Sequence, residues 1–141
     1  MEKSFTIETL QGSDLRHIKD LTPVGWYDVT PLYKMHLNQD YFYPIKLVWK
    51  KIIIGVGELI INKKNGWLGN IIVTKSFRNQ GLGKEITKGL IEIANTQLCE
   101  SIYLLSTPLG KPVYQKLGFQ EKGKYLFYEK GERNIEIEAN N

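Results

Sequence analysis

Two glycines one residue apart stand between basic side chains in the run Arg78-Asn79-Gln80-Gly81-Leu82-Gly83-Lys84, which opens directly into a helical pattern. A loop that only had to turn would need one glycine. Where a strand passes through glycines into a helix, the first helical turn offers backbone N–H groups without internal partners, aligned with the positive end of the helix dipole. Glycines at 81 and 83 let the main chain approach a ligand that a Cβ would hold off, and each can adopt φ > 0 so that successive amides face one concavity. The chemistry implied is capture of a phosphate-like anion, with Arg78 and Lys84 adding charge. Two familiar phosphate binders do not fit. A Walker loop needs Ser or Thr after its lysine and a glycine five before the second one, whereas Lys84 precedes Glu85 and position 78 is Arg. A dinucleotide fingerprint needs a third glycine at position 86, which is Ile.

The elements that position this loop follow from periodicity. Ser4 to Leu10 alternates as a strand, Ser13 or Asp14 starts a short helix through Leu21, and Pro31 suits the first residue of a second helix. Ile45 to Lys50 and Ile52 to Ile61 read as a hairpin. Asn65-Gly66 is a hairpin signal that folds the strand Trp67 to Thr74 back on its predecessor. A helix from about Gly81 to Leu98 carries Leu82, Ile86, Leu90, Ile93, Ala94 and Leu98 on one stripe. Ser101 to Ser106 reads as a buried strand, Pro108 to Leu117 as a helix ended by Gly118, and Phe119 to Glu129 as one or two closing strands. Gly131 to Asn141 reads as a frayed tail. The sum is a single mixed α/β domain over residues 1–141.

Composition narrows the class. At 141 residues the chain buries a sizeable core without staples, and its one cysteine, Cys99, forms no internal disulfide. The two histidines have no cysteine companions, so no zinc or other metal set is predicted. No signal peptide or membrane span is legible, which with the lone thiol predicts a cytoplasmic setting. The net charge of +4 is scattered, which suits a small anionic ligand better than a nucleic-acid track, a reading that pI alone keeps as a third expectation; no nucleic-acid and no membrane partner is predicted.

Arg-x-x-Gly-x-Gly after a strand ending Ile71-Ile72-Val73 resembles the acetyl-CoA loop of the GNAT family of N-acetyltransferases. A second stretch strengthens the resemblance: Tyr114-Gln115-Lys116-Leu117-Gly118-Phe119 is similar to the segment with which that family commonly closes, about thirty residues after the glycine loop. Trp67-Leu68-Gly69, Gly25-Trp26 and the Thr-Pro-x-Gly-x-Pro run from Thr107 look like one GNAT subgroup. Tyr27 stands where that subgroup tends to have Asn, and Thr107 where many members carry Asn.

The resemblance implies an acyl-CoA N-acyltransferase fold: a mixed, mostly antiparallel sheet of six to seven strands flanked by about four helices, with acetyl-CoA as co-substrate. It implies that the pantetheine arm pairs with the main chain of Ile71, Ile72 and Val73 while the pyrophosphate meets Arg78, Asn79, Gln80, Gly81, Leu82, Gly83 and Lys84, and that Thr107 lies near the thiol arm. A backbone N–H at or near Val73 would polarise the thioester carbonyl. Tyr114 is then the candidate acid for the departing thiolate, the alternative being that its ring packs against the cofactor arm. For the base, Glu58 either faces the cleft or is a solvated outward residue; Asp28, His36 and Asp40 are further candidates. Trp26, Tyr27 and Asp28 are expected to meet an acceptor amine, on a small molecule or a protein. A non-catalytic CoA-binding module is the competing expectation, and the fold permits a homodimer through sheet edges.

Overall fold

The structure is a computed structural model that describes residues 4–126, and the chain divides into two compact units, Met1–Leu104 and Leu105–Asn141. The first holds a five-stranded sheet in the order β1-β2-β3-β4-β5: β1 Thr6–Thr9, β2 Phe42–Trp49, β3 Ile52–Asn62, β4 Asn65–Val73 and β5 Ser101–Leu104. All neighbours are antiparallel except β4 and β5, which run parallel. Helices α1 (Leu15–Ile18), α2 (Thr30–His36) and α3 (Leu82–Thr96) belong to the first unit, and α4 (Lys111–Lys116) to the second. The mixed α/β architecture agrees with expectation, although the described residues hold five strands rather than six to seven. In the stretch expected to close the sheet, Phe119 to Glu129, Tyr125 forms a single bridge, residues 127–129 lie outside the described part, and so does the tail from 131. Among the described residues no helix is long and apolar enough to cross a membrane.

The middle of the sheet is buried on both faces, as the near-continuous apolar run of β3 requires, whereas β1 at one edge is exposed throughout. On one face Val56 and Ile72 pack with Ile18, Leu21, Val29 and Tyr33 from the N-terminal helices. On the other lies α3, which buries Leu82, Ile86, Leu90 and Ala94. Small residues in β3 let that helix come close: a Cβ on Gly57 would stand 2.8 Å from Ile86 Cγ2 and 3.1 Å from Leu90 Cδ1. Fully burying Ile86 and Leu90 contributes about 1.5–3 kcal/mol each. That outweighs the cost of about 1 kcal/mol for a glycine inside a strand or helix.

Two hairpins build the middle of the sheet. Lys50 and Lys51 both have positive φ, 46° and 66°, as a two-residue type I′ turn demands, and Lys50 Nζ lies 4.7 Å from the Trp49 ring. The β3–β4 strands fold back as predicted, but the turn is Lys63-Lys64, with Asn62 opposite Asn65, so Asn65-Gly66 already belongs to β4. Packing decides this register. A Cβ on Gly66 would come within 2.9 Å of Leu59 Cδ1, so the glycine is needed under a neighbour rather than in the turn. Asp14 does not cap α1 with its side chain; its carboxylate accepts from the Gln11 amide and from Lys46, at 2.8 Å each.

Candidate functional site

β4 changes character halfway along. Its first half pairs on both sides, with β3 and, over Asn65–Leu68, with β5. Beyond Leu68 no described strand pairs with its β5-side edge. Between Val56 and Glu58 of β3 the register slips, so Asn70 and Ile71 of β4 together oppose Gly57. This is a β-bulge, with Asn70 in the left-handed region at φ 48°. A bulge raises local twist and bends its strand, which accounts for the edge left open over Ile71, Ile72 and Val73. Thr74 N–H bonds to Ile54 C=O at 2.8 Å, so Thr74 faces β3 and, by the alternation of a strand, the amide and carbonyl of Val73 face the open edge. Arg78 Nε donates to that same Val73 carbonyl at 2.9 Å. Arg78 therefore ties the loop to β4, leaving the Val73 amide as the donor on this edge.

The loop meets half of what its glycines allow: Gly81 takes a positive φ, Gly83 does not, and the second left-handed residue is Asn79. Asn79 (φ 63°) and Gly81 (φ 77°) are both left-handed, and Gly81 stands immediately before α3. The first helical bond runs from Glu85 N–H to Gly81 C=O at 3.2 Å, so the amides of Leu82, Gly83 and Lys84 precede the helical ladder. A Cβ built on Gly81 or Gly83 meets no atom within 4 Å. The space above both is open. Left-handed residues, amides ahead of the helical ladder and the positive end of a fifteen-residue helix make a concavity suited in geometry and charge to an anion, and the β4 edge that no described strand covers runs up to it.

Glu58 is buried, 2 % exposed, not an outward residue. It stands on β3 opposite Gly69, where a Cβ would lie 3.4 Å from a carboxylate oxygen, so the glycine leaves the carboxyl its space. Burial pushes its pKa up to about 7, against the lowering effect of a hydrogen bond from the Asn70 side-chain amide. Tyr33 of α2 is fully buried, and its hydroxyl has no partner among the described residues. Its pKa lies well above the phenol range, first through burial and then through the negative charge of Glu58. A carboxyl titrating near neutrality can take a proton at physiological pH.

The other base candidates are weaker. Asp28 accepts from Thr30 N–H at 2.9 Å, and the polar groups of Thr30 beside it hold its pKa below the usual carboxylate value. His36 is engaged with the Tyr41 hydroxyl, and Asp40 is exposed. Trp26, Tyr27 and Asp28 form the exposed approach to α2, with Tyr27 90 % exposed. Of the other aromatic residues of that segment, Tyr33 and Phe42 belong to the core, edge to face at 5.5 Å.

Thr107 and Tyr114 lie in the second unit. Thr107 opens the turn into α4, its Oγ1 accepting from Gly110 N–H at 3.3 Å. The helix is shorter than the predicted Pro108 to Leu117 because residues 107–110 are spent in that turn. Tyr114 is half-buried, its ring 6.2 Å from that of Phe119 and edge to face, and burial raises its pKa. Gly118 (φ 96°) donates to Gln115 C=O at 3.0 Å and Phe119 N–H to Tyr114 C=O at 3.1 Å, the two bonds of a Schellman cap. Sequence reasoning missed Asn70, and it took Tyr33 as one of several aromatic residues able to line an acceptor pocket and Gly69 as part of a motif, without placing either beside Glu58. The available signal was Gly-Asn inside a strand pattern, which marks a bulge.

The family model for the acetyltransferase (GNAT) domain matches residues 24–138. A glucosamine 6-phosphate N-acetyltransferase of Trypanosoma brucei brucei is 33 % identical over 75 residues, 48 % of this chain and 51 % of that protein. A probable spermine N(1)-acetyltransferase of Bacillus subtilis subsp. natto is 30 % identical over 99 residues, 62 % of this chain and 65 % of the relative. The chain thus spans about half to two-thirds of the length of these curated relatives. Among solved structures, the aminoglycoside acetyltransferase AAC(6')-Iy, in complex with the bisubstrate analogue CoA-S-monomethyl-acetylneamine, superposes with a TM-score of 0.74 at 21 % identity, over 91 % of this chain and 99 % of that one.

Proposed function

This chain belongs to the GNAT acetyltransferase family, and from that premise we propose that it transfers the acetyl group of acetyl-CoA to an amine by direct attack within a ternary complex. Acetyl-CoA, when bound, supplies an activated acetyl thioester. The cradle fits such a group: Asn79 to Lys84 for the diphosphate, and the open edge of Ile71 and Val73 for the amide-bearing arm. Single-domain organisation is part of the reading, because the family match runs through both units. The lone Cys99 favours a reducing compartment.

The observation that carries catalysis, as opposed to mere CoA binding, is the Glu58 carboxyl buried on β3 with Asn70 as its side-chain donor, where burial pushes its pKa up to about 7. An alkylammonium of pKa about 10.4 is only about 0.1 % neutral at pH 7.4, a handicap of about 4 kcal/mol. Proton transfer to an ordinary carboxylate is uphill by about 6 pH units, and to Glu58 by about 3.4, a gain near 3 kcal/mol. Glu58 is thus the base in this reading, and Tyr114, which stays protonated, donates to the thiolate. Trp26, Tyr27 and Asp28 receive the acceptor. The names of the relatives support small amines, an amino sugar phosphate or a polyamine, and a protein amine belongs to the same chemistry.

Thiol release from acetyl-CoA, measured with amino sugar phosphates, polyamines, aminoglycosides, amino acids and peptides, tests the proposal. Turnover with one of them that Glu58→Gln lowers by about 10²–10⁴ is expected. CoA binding with no turnover on any amine would leave a non-catalytic module instead.

A further inference from the structure

The β4 bulge gives Glu58 a partner whose backbone conformation is unusual inside a strand, although asparagine tolerates it better than other non-glycine residues. Asn70 holds φ 48° in the middle of a strand, and its Nδ2 donates to Glu58 Oε1. Among the described residues no other side chain donates to that carboxylate. A regular strand would seat one residue opposite Gly57 where the bulge seats two. The bulge therefore both opens the β4 edge and sets Asn70 against the carboxylate. We propose that Asn70 is a positioning residue for Glu58: its amide fixes one carboxylate oxygen, favours the charged form, and leaves the second oxygen for an acceptor ammonium. This rests on the acetyl-transfer reading for its catalytic meaning, but the link between the two side chains stands without it.

The other titratable groups on that sheet face do not substitute for the amide. Lys46 of β2, opposite Val56, is paired with Asp14 at 2.8 Å. From α2, His36 is bonded to Tyr41, and Tyr33 stays a neutral phenol. Neutral Tyr33 makes no hydrogen bond to Glu58.

Asn70→Gly is the informative variant, because glycine takes φ 48° without strain, so the amide is removed while the bulge is kept. Titrating the Glu58 carboxyl carbon by NMR in the ligand-free protein should show its midpoint rising by about one pH unit, the size expected for losing a hydrogen bond to a charged group. With a substrate amine, kcat/KM should fall several-fold at pH 7 and recover as pH approaches 9, with acetyl-CoA affinity unchanged. Asn70→Ala should shift the midpoint equally but lower the Tm, since only alanine pays the left-handed backbone cost. A midpoint that stays put or falls, or a loss of activity independent of pH, overturns the proposal. If the parent chain turns over no amine, the acetyl-transfer reading fails while the NMR midpoint still decides the Asn70–Glu58 link.

Discussion

Glu58 trades stability for basicity, and the sign of the trade is fixed by the direction of its shift. Its pKa is about 7 in the folded chain against 4.5 as an ordinary carboxyl, so in between the folded state binds more protons than the unfolded one. The contribution of this one group to stability is therefore fully present below about pH 4.5 and is lost as pH rises through 7. The full difference is about 3 kcal/mol by linkage. Glu58→Gln, which stays neutral, should raise stability by up to that amount at pH 8 and change little at pH 4, while lowering turnover; denaturant melts at both pH values check this. Equal effects at the two would mean that the carboxyl does not titrate in this range. Tyr33 offers a related case. Its buried hydroxyl has no partner, so Tyr33→Phe should leave stability unchanged or raise it by about 1 kcal/mol. A KM for amine that rises in the same variant would mark that hydroxyl as an acceptor contact.

Elements built from local rules were legible, and elements set by distant neighbours were not. The left-handed entry into α3 could be read because it needs residues 78–84 only, and the run Leu117-Gly118-Phe119 because a Schellman cap is a local device. The burial of Glu58 could not be read, since it depends on distant elements covering both faces of β3, and Asn65-Gly66 misled because a turn signal and a packing requirement look alike in sequence. The same logic makes the cradle separable from the fold. A Cβ at Gly83 meets nothing within 4 Å and its φ is not positive, so Gly83→Phe should fold with nearly unchanged Tm yet lose acetyl-CoA binding by at least tenfold in calorimetry. Gly81, at φ 77°, differs: Gly81→Ala should cost about 1 kcal/mol of stability as well. Were both variants to bind like the parent, the cradle would not be the diphosphate site.

At the scale of the whole molecule, a ligand that binds only the folded chain must stabilise it in proportion to its occupancy. With acetyl-CoA at one hundred times its Kd the gain is about 2.7 kcal/mol, which for a chain of 141 residues raises Tm by several degrees. The cradle concentrates positive ends of amides with Arg78 and Lys84 on a chain of net charge +4, so the shift should shrink as salt rises from 0.05 to 0.5 M. Pantetheine, which lacks the diphosphate, should give a smaller and salt-insensitive shift if the β4 edge alone receives it. The Gly83→Phe variant should erase most of the acetyl-CoA shift and keep the response to pantetheine. Should pantetheine and acetyl-CoA instead stabilise the parent equally, main-chain pairing along Ile71 to Val73 would carry the affinity, and the two glycines would be ordinary features of a strand-to-helix connection.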